Sequence, residues 1–236
     1  MITDSRAIHA AVEAGQLASV VVCRGQRLSQ DQREVLAFAK THGVRVKTIV
    51  PVAFQREYGV YALVGIQART QTVSLARVIE GLSATSKLLI LDHIQDPHNM
   101  GALIRSAVSF GFEAVIYAKD RQCPVTDAVV SASAEAVHHI QMCQVTNIAQ
   151  AMQTLSKHQV WLYGTIVDAP IAVSKWQPHT PCGVVMGHEH SGISPGIEKQ
   201  LDDSVRIDTP GATGSLNVSA AGAIVMHWAF VKTAKD

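Results

Sequence analysis

The side chains of this 236-residue chain that could do chemistry gather in three short stretches, each following an apolar run. The first reads Asp92-His93-Ile94-Gln95-Asp96-Pro97-His98-Asn99, and Arg105 follows it among mostly apolar or small neighbours. A guanidinium there either pairs with Asp92 or Asp96, or is presented to an anion in a cleft. The second stretch is Gly187-His188-Glu189-His190-Ser191-Gly192. Its two histidines invite a zinc site, but no third and fourth ligand stands at a usable spacing. The third, 208–214, leads through Ser215-Leu216-Asn217 into an oily segment. Asn217 either caps neighbouring main-chain groups or faces a small molecule gripped by the loop. No Gly-x-x-x-x-Gly-Lys occurs, and no Gly-x-Gly-x-x-Gly follows a predicted strand, which disfavours a phosphate cradle or a dinucleotide fingerprint.

Bringing three loops to one place needs strands that end on the same side. Past Lys87, strands are predicted over 88–91, 114–118, 136–142, 160–166, 183–186 and 205–207. Helices are predicted over 100–110, 126–134 and 147–157, with a last one opened by Ser215 as N-cap. Short apolar strands alternating with helices predict an α/β fold with a parallel sheet covered on both faces. Ligands of such sheets sit beyond the carboxyl ends of the strands, where the three loops fall. Upstream, a helix over 5–14 ended by Gly15, a strand over 19–23 and a helix begun by Ser29 and ended by Gly43 are predicted. A strand over 44–50 stopped by Pro51 and another over 60–66 complete a compact α/β unit. The stretch 69–86, rich in Thr, Ser and Ala, reads as a linker carrying a short helix over 75–82.

A hydrophobic fraction of 47% is ample for a packed core. The first ten residues hold no apolar signal region, and the oiliest run, 218–230, is too short to span a bilayer. Cys23, Cys123, Cys143 and Cys182 are scattered, so a soluble cytoplasmic protein with reduced thiols is expected. The net charge of +1 hides an asymmetry: residues 1–80 hold ten Lys or Arg against six Asp or Glu. A basic amino-terminal part suits contact with phosphates, with Arg24, Arg27, Arg45 and Lys47 as candidates, although each also serves as an ordinary solvated charge.

Together the three stretches resemble the SpoU/TrmH family of RNA ribose 2′-O-methyltransferases, part of the SPOUT class. Its first motif matches Asp96-Pro97-His98-Asn99-Met100-Gly101-Ala102 through Arg105 to Phe110-Gly111. The second matches Val185-Met186-Gly187-His188-Glu189 with Gly192, and the third Ser215-Leu216-Asn217-Val218-Ser219 after Ile207. Order and spacing agree over 87–231, and the layout is most similar to the bacterial 23S rRNA (guanosine-2′-O-)methyltransferases. The resemblance implies a methyltransferase catalytic domain over 87–236 with a carboxyl-terminal trefoil knot. It also implies a small ribosomal-protein-like RNA substrate-binding domain over 1–68, joined by the linker 69–86.

The resemblance implies further that S-adenosylmethionine sits bent in the knot, held largely by main chain, with Gly187, Ile207, Leu216 and Thr165 as its contacts. No metal is implied, because the donor carries its own activation. Arg105 matches the arginine that activates the ribose hydroxyl. Since arginine stays protonated, it serves better as a cation steadying the developing alkoxide than as a base. Asn99, Glu189, Ser215 and Asn217 then orient the reacting groups. RNA, ribosomal or transfer, is the implied partner, and a homodimer is expected, with Trp228 and Phe230 as a candidate interface. Two departures stand out: His190 replaces a usual glycine, and Asp208-Thr209-Pro210 replaces a usual Pro-Met after Ile207. They leave open a member that docks on RNA without turning over.

Overall fold

The computed structural model describes residues 2–13, 17–58, 63–67, 72–211 and 214–233. The expected helix stop at Gly15, the first part of the strand expected over 60–66, and residues 69–71 of the expected linker lie outside them. The chain divides into two compact units, 1–71 and 72–236.

In the first unit the order is α1 (Ser5–Glu13), β1 (Leu17–Cys23), α2 (Gln30–Thr41), β2 (Arg45–Ile49), α3 (Pro51–Tyr58) and β3 (Leu63–Gln67). Ser29 and Gln32 cap α2 reciprocally, each side chain taking the other residue's main-chain N–H. Strand β1 lies between β2, parallel to it, and β3, antiparallel to it. Ile8, Val12, Val20, Val35 and Leu63 form the core between this sheet and the helices α1 and α2. The structure adds α3, which the sequence reading missed. The strand stops before Pro51 as expected, and Pro51 also opens a helix, because its fixed φ and absent N–H suit the first helical position.

The second unit runs α4 (Leu75–Glu80), β4 (Lys87–Leu91), α5 (Pro97–Ser109), β5 (Ala114–Ala118), α6 (Asp127–Ala132), β6 (Gln141–Val145) and α7 (Ile148–Lys157). It continues with β7 (Trp161–Thr165), β8 (Ile171–Ala172), β9 (Cys182–Met186), α8 (Pro195–Glu198), β10 (Asp203–Arg206) and α9 (Val218–Thr233). Among the described residues its sheet has seven strands in the order β6-β5-β4-β9-β7-β10-β8, and every paired strand is parallel. Both faces are covered, as the alternating pattern predicts. On one, Leu89, Leu91, Tyr117 and Val184 meet Leu103 and Ala107 of α5 and Val225 and Met226 of α9. On the other, Leu88, Ile90, Ile116 and Val185 meet Met152 and Leu155 of α7, Val78 of α4 and Ile197 of α8. The short helix expected within 69–86 is therefore α4, and it packs on the second unit.

Among the boundaries that differ from expectation, α5 starts at Pro97 rather than Met100, and two others bear on the core and the site. Residues 136–142 do not form one strand: a 3-10 turn occupies Ala136–His139, and β6 starts at Gln141. Ala134 and Glu135 adopt left-handed conformations, which turns the chain so that Val137 enters the core against α5. Helix α9 begins at Val218 rather than being opened by Ser215, because the capping oxygen belongs to Asn217.

Register brings the strand ends level. Leu91 of β4 lies opposite Met186 of β9, and Thr165 of β7 opposite Val205 of β10. The three loops singled out in the sequence thus leave one edge of the sheet.

Candidate active site

The loop after β4 runs into α5, whose N-cap Asp96 accepts the N–H groups of His98 at 3.1 Å and Asn99 at 3.3 Å, with Pro97 in the first turn. This fixes Asn99 opposite the loop after β9. Its Nδ2 donates to Glu189 Oε1 at 2.9 Å, and its Oδ1 accepts from Asn217 Nδ2 at 3.0 Å. A carboxylate only accepts, so Glu189 sets which way the Asn99 amide faces. Asn217 Oδ1 in turn accepts the Ser219 N–H at 2.9 Å and the Ser219 hydroxyl at 2.6 Å. Of the two uses of Asn217 left open by the sequence, the cap is realised through its oxygen, while its nitrogen is taken by Asn99 and the residue does not line the cavity between the loops.

A second junction was not foreseen. Asp92, only 1% exposed, holds His93 Nδ1 at 2.7 Å and accepts both the N–H of Ser194 at 2.7 Å and its hydroxyl at 2.5 Å. It ties the start of the first loop to the end of the second. A carboxylate directly after a buried strand was the available signal, since burial at that depth demands partners.

Between the loops lies a cavity of about 280 Å³ whose walls include Thr165, Val167, Gly187, Glu189, Ile207 and Leu216. All four residues expected to contact a cofactor are among them. Gly187 has no room for a side chain: a Cβ would overlap the main chain of Gly192 and Ile193. Thr165 Oγ1 is buried and has no hydrogen-bond partner among the described residues, a polar group left for whatever fills the space. Ser215 and His190 also line the cavity.

Arg105 is placed differently. It is exposed on α5, outside the cavity lining, and forms no ion pair among the described residues. The pairing with Asp92 or Asp96 that the sequence allowed does not form, because His93 and Ser194 occupy the first carboxylate and the α5 amides the second. Asp208, between cavity-lining Ile207 and Thr209, does not itself line the cavity. It accepts from Arg206 Nε at 3.0 Å, while Arg206 Nη1 donates to the carbonyls of Ala169 at 2.8 Å and Pro170 at 2.9 Å. Among the described residues no three His, Cys, Asp or Glu side chains converge as a metal site requires, and no helix is long and apolar enough to cross a membrane.

Comparison with known proteins places this geometry. The description of the SpoU rRNA methylase family matches residues 86–227. A 23S rRNA (guanosine-2'-O-)-methyltransferase of Xanthomonas axonopodis pv. citri is 32% identical over 199 residues, covering 82% of this chain and 80% of that protein. A tRNA/rRNA methyltransferase of Synechocystis sp., described as uncharacterized, is 35% identical over 63% of this chain but only 38% of its own length. A Staphylococcus saprophyticus protein assigned to the TrmH family of tRNA/rRNA methyltransferases is 35% identical over 62% of this chain and 59% of its own length. Those two matches span less than two thirds of the relatives. In fold, the chain is similar to the SpoU methyltransferase AviRb of Streptomyces viridochromogenes, with a TM-score of 0.81 at 21% identity over 99% of this chain and 89% of that one.

Proposed function

Because the chain belongs to the SpoU rRNA methylase family, we propose that it transfers a methyl group from S-adenosylmethionine to a ribose 2′-hydroxyl of structured RNA, a guanosine of 23S rRNA. The observation that carries this is the cavity beyond the carboxyl ends of the strands, lined by Glu189, which is hydrogen-bonded to Asn99 and through it to Asn217. The lining fits the cofactor. Ile166, Val167 and Leu216 offer an apolar wall for an adenine, the unpartnered Thr165 hydroxyl a polar contact, and Glu189 a carboxylate suited to a sulfonium. When bound, S-adenosylmethionine supplies a methyl group already activated on a positively charged sulfur. A related AviRb structure holds that cofactor, and the Xanthomonas relative is named for the 23S guanosine reaction.

The chain's own residues then have to hold the ribose and manage charge. Arg105 steadies the negative charge that develops on the attacking oxygen and grips the adjoining phosphate. Asn99, Glu189, Ser215 and Asn217 keep the acceptor aligned. Since Arg105 does not line its own chain's cavity, we place the protein in a homodimer in which a second copy presents Arg105. The exposed Phe230 and the neighbouring Trp228 near the end of α9 offer an apolar contact. Residues 1–68 serve as the RNA-docking domain, with Arg24, Arg27, Arg45 and Lys47, all exposed, toward phosphate. The resemblance supports a deep trefoil knot formed by the carboxyl-terminal segment, and a cytoplasmic setting suits a ribosomal substrate.

A tRNA ribose is the second reading, favoured by relatives named for both RNA classes. A non-catalytic member is less favoured, since the Asp208 charge is matched by Arg206 outside the cavity lining. Mass spectrometry of ribose methylation decides among the three, using 23S rRNA and tRNA from cells lacking the protein. A new 2′-O-methylguanosine in 23S rRNA is expected, and methylation of neither RNA overturns the assignment. Arg105→Ala is expected to lower transfer by about 10³-fold, with cofactor affinity by calorimetry within about twofold of wild type.

A further inference from the structure

Resting on the cofactor assignment above, we propose that His188 is a positioning residue for the cavity and that it works only as a neutral imidazole. The second loop is pinched at its ends, His188 N–H donating to the Gly192 carbonyl at 3.0 Å and Gly192 N–H to the His188 carbonyl at 2.9 Å. Inside that pinch, His188 Nδ1 accepts the main-chain N–H of His190 at 3.1 Å and of Ser191 at 3.3 Å. An imidazole nitrogen that accepts carries no proton, so the ring hydrogen belongs on Nε2. That nitrogen stands 3.9 Å from Glu189 Oε2, while Glu189 Oε1 holds Asn99. One ring therefore folds the turn and backs the carboxylate that orients Asn99, and through it Asn217.

A second proton has only Nδ1 to occupy, where two amide hydrogens already converge. Accepting it breaks both bonds and loosens the turn that walls the cavity, leaving only the main-chain pinch between His188 and Gly192. The titratable groups facing the ring are Glu189 and His190, whose ring centre is 5.6 Å away. The Glu189 carboxylate, 3.9 Å from Nε2, favours a charged ring and so opposes the two amides that converge on Nδ1. From β7, β10 and α9 the cavity lining is uncharged. Asp208, close by in sequence, is paired with Arg206, and Asp92 and His93 are bonded to each other and to Ser194. Cofactor affinity therefore falls as pH drops and the ring takes up a second proton.

Calorimetry with S-adenosylmethionine between pH 5.5 and 8 tests this on the full chain and on two variants. Wild type is expected to bind about tenfold more weakly at the acid end, the scale set by losing two main-chain hydrogen bonds. His188→Asn supplies an amide oxygen for the same two N–H groups and does not titrate. Its affinity is expected to stay near the wild-type value for pH 8 throughout. His188→Ala is expected to bind about tenfold more weakly at both ends. In ligand-free protein, nitrogen NMR should show the His188 ring protonated on Nε2 at pH 8, and the His190 and Ser191 amide signals should move with its titration. The assignment of His188 is overturned if that ring carries its proton on Nδ1, if His188→Ala keeps the wild-type affinity and profile, or if His190→Ala rather than His188→Asn removes the pH step. Wild type that fails to bind at any pH counts against the cofactor assignment, and the NMR titration then decides the role of His188 by itself.

Discussion

Asn217 serves two partners with two ends of one amide. Its oxygen caps α9 through Ser219 and its nitrogen holds Asn99. Asn217→Ala removes both and should lower stability in urea by about 1 kcal/mol, as a lost N-cap does. Methyl transfer should fall by about 10²-fold, because the acceptor is no longer held in line. Asn217→Asp separates the effects: the cap survives and the donor to Asn99 is gone, so kcat should fall while the urea midpoint stays near wild type. That Asn217 mattered was legible, since an amide stood alone in an oily run. Its partner Asn99, 118 residues earlier, was reachable only through the resemblance. The hold of His188 on its own loop was hidden for another reason: it is a local geometry that residue type does not announce.

At the level of elements, the buried strands and amphipathic helices of 87–231 were legible because their periodicity follows from which face each one covers. Elements too short to show a period were not, and β8 and α8 are of that kind. The turn at Ala136–His139 was misread because its apolar Ala136 and Val137 imitate a strand start. That turn carries a testable pH effect. His138 Nε2 is buried without a partner among the described residues. Burial, only partly offset by the Glu135 carboxylate, holds the imidazole below its ordinary pKa. The unfolded chain therefore takes up a proton near pH 6.5 that the folded one refuses until lower pH, and stability is lost as pH falls through that window. The urea midpoint of wild type should drop between pH 7 and 5.5, and the drop should be smaller in His138→Leu.

For the whole molecule, two tests separate docking from chemistry. Reversing Arg24, Arg27, Arg45 and Lys47 to Glu should weaken RNA binding, flatten its salt dependence and leave cofactor affinity unchanged; an unaltered RNA affinity would relocate the docking face. Co-expressing Arg105→Ala with Asn217→Ala chains should restore about a quarter of wild-type transfer, because half the dimers are mixed and each has one complete site. No recovery would mean that Arg105 acts on its own chain's cavity. The order of the large sheet has a further consequence. Strand β9 slots between β4 and β7, and Asn99 meets Glu189 across 90 residues. As the chain leaves the ribosome, the amino-terminal unit can fold early, whereas the pocket waits until the residues up to Ala221 have been made. On the docking role proposed for residues 1–68, a product cut short before Asn217 would keep the basic unit without a finished pocket and would occupy RNA that it cannot mark.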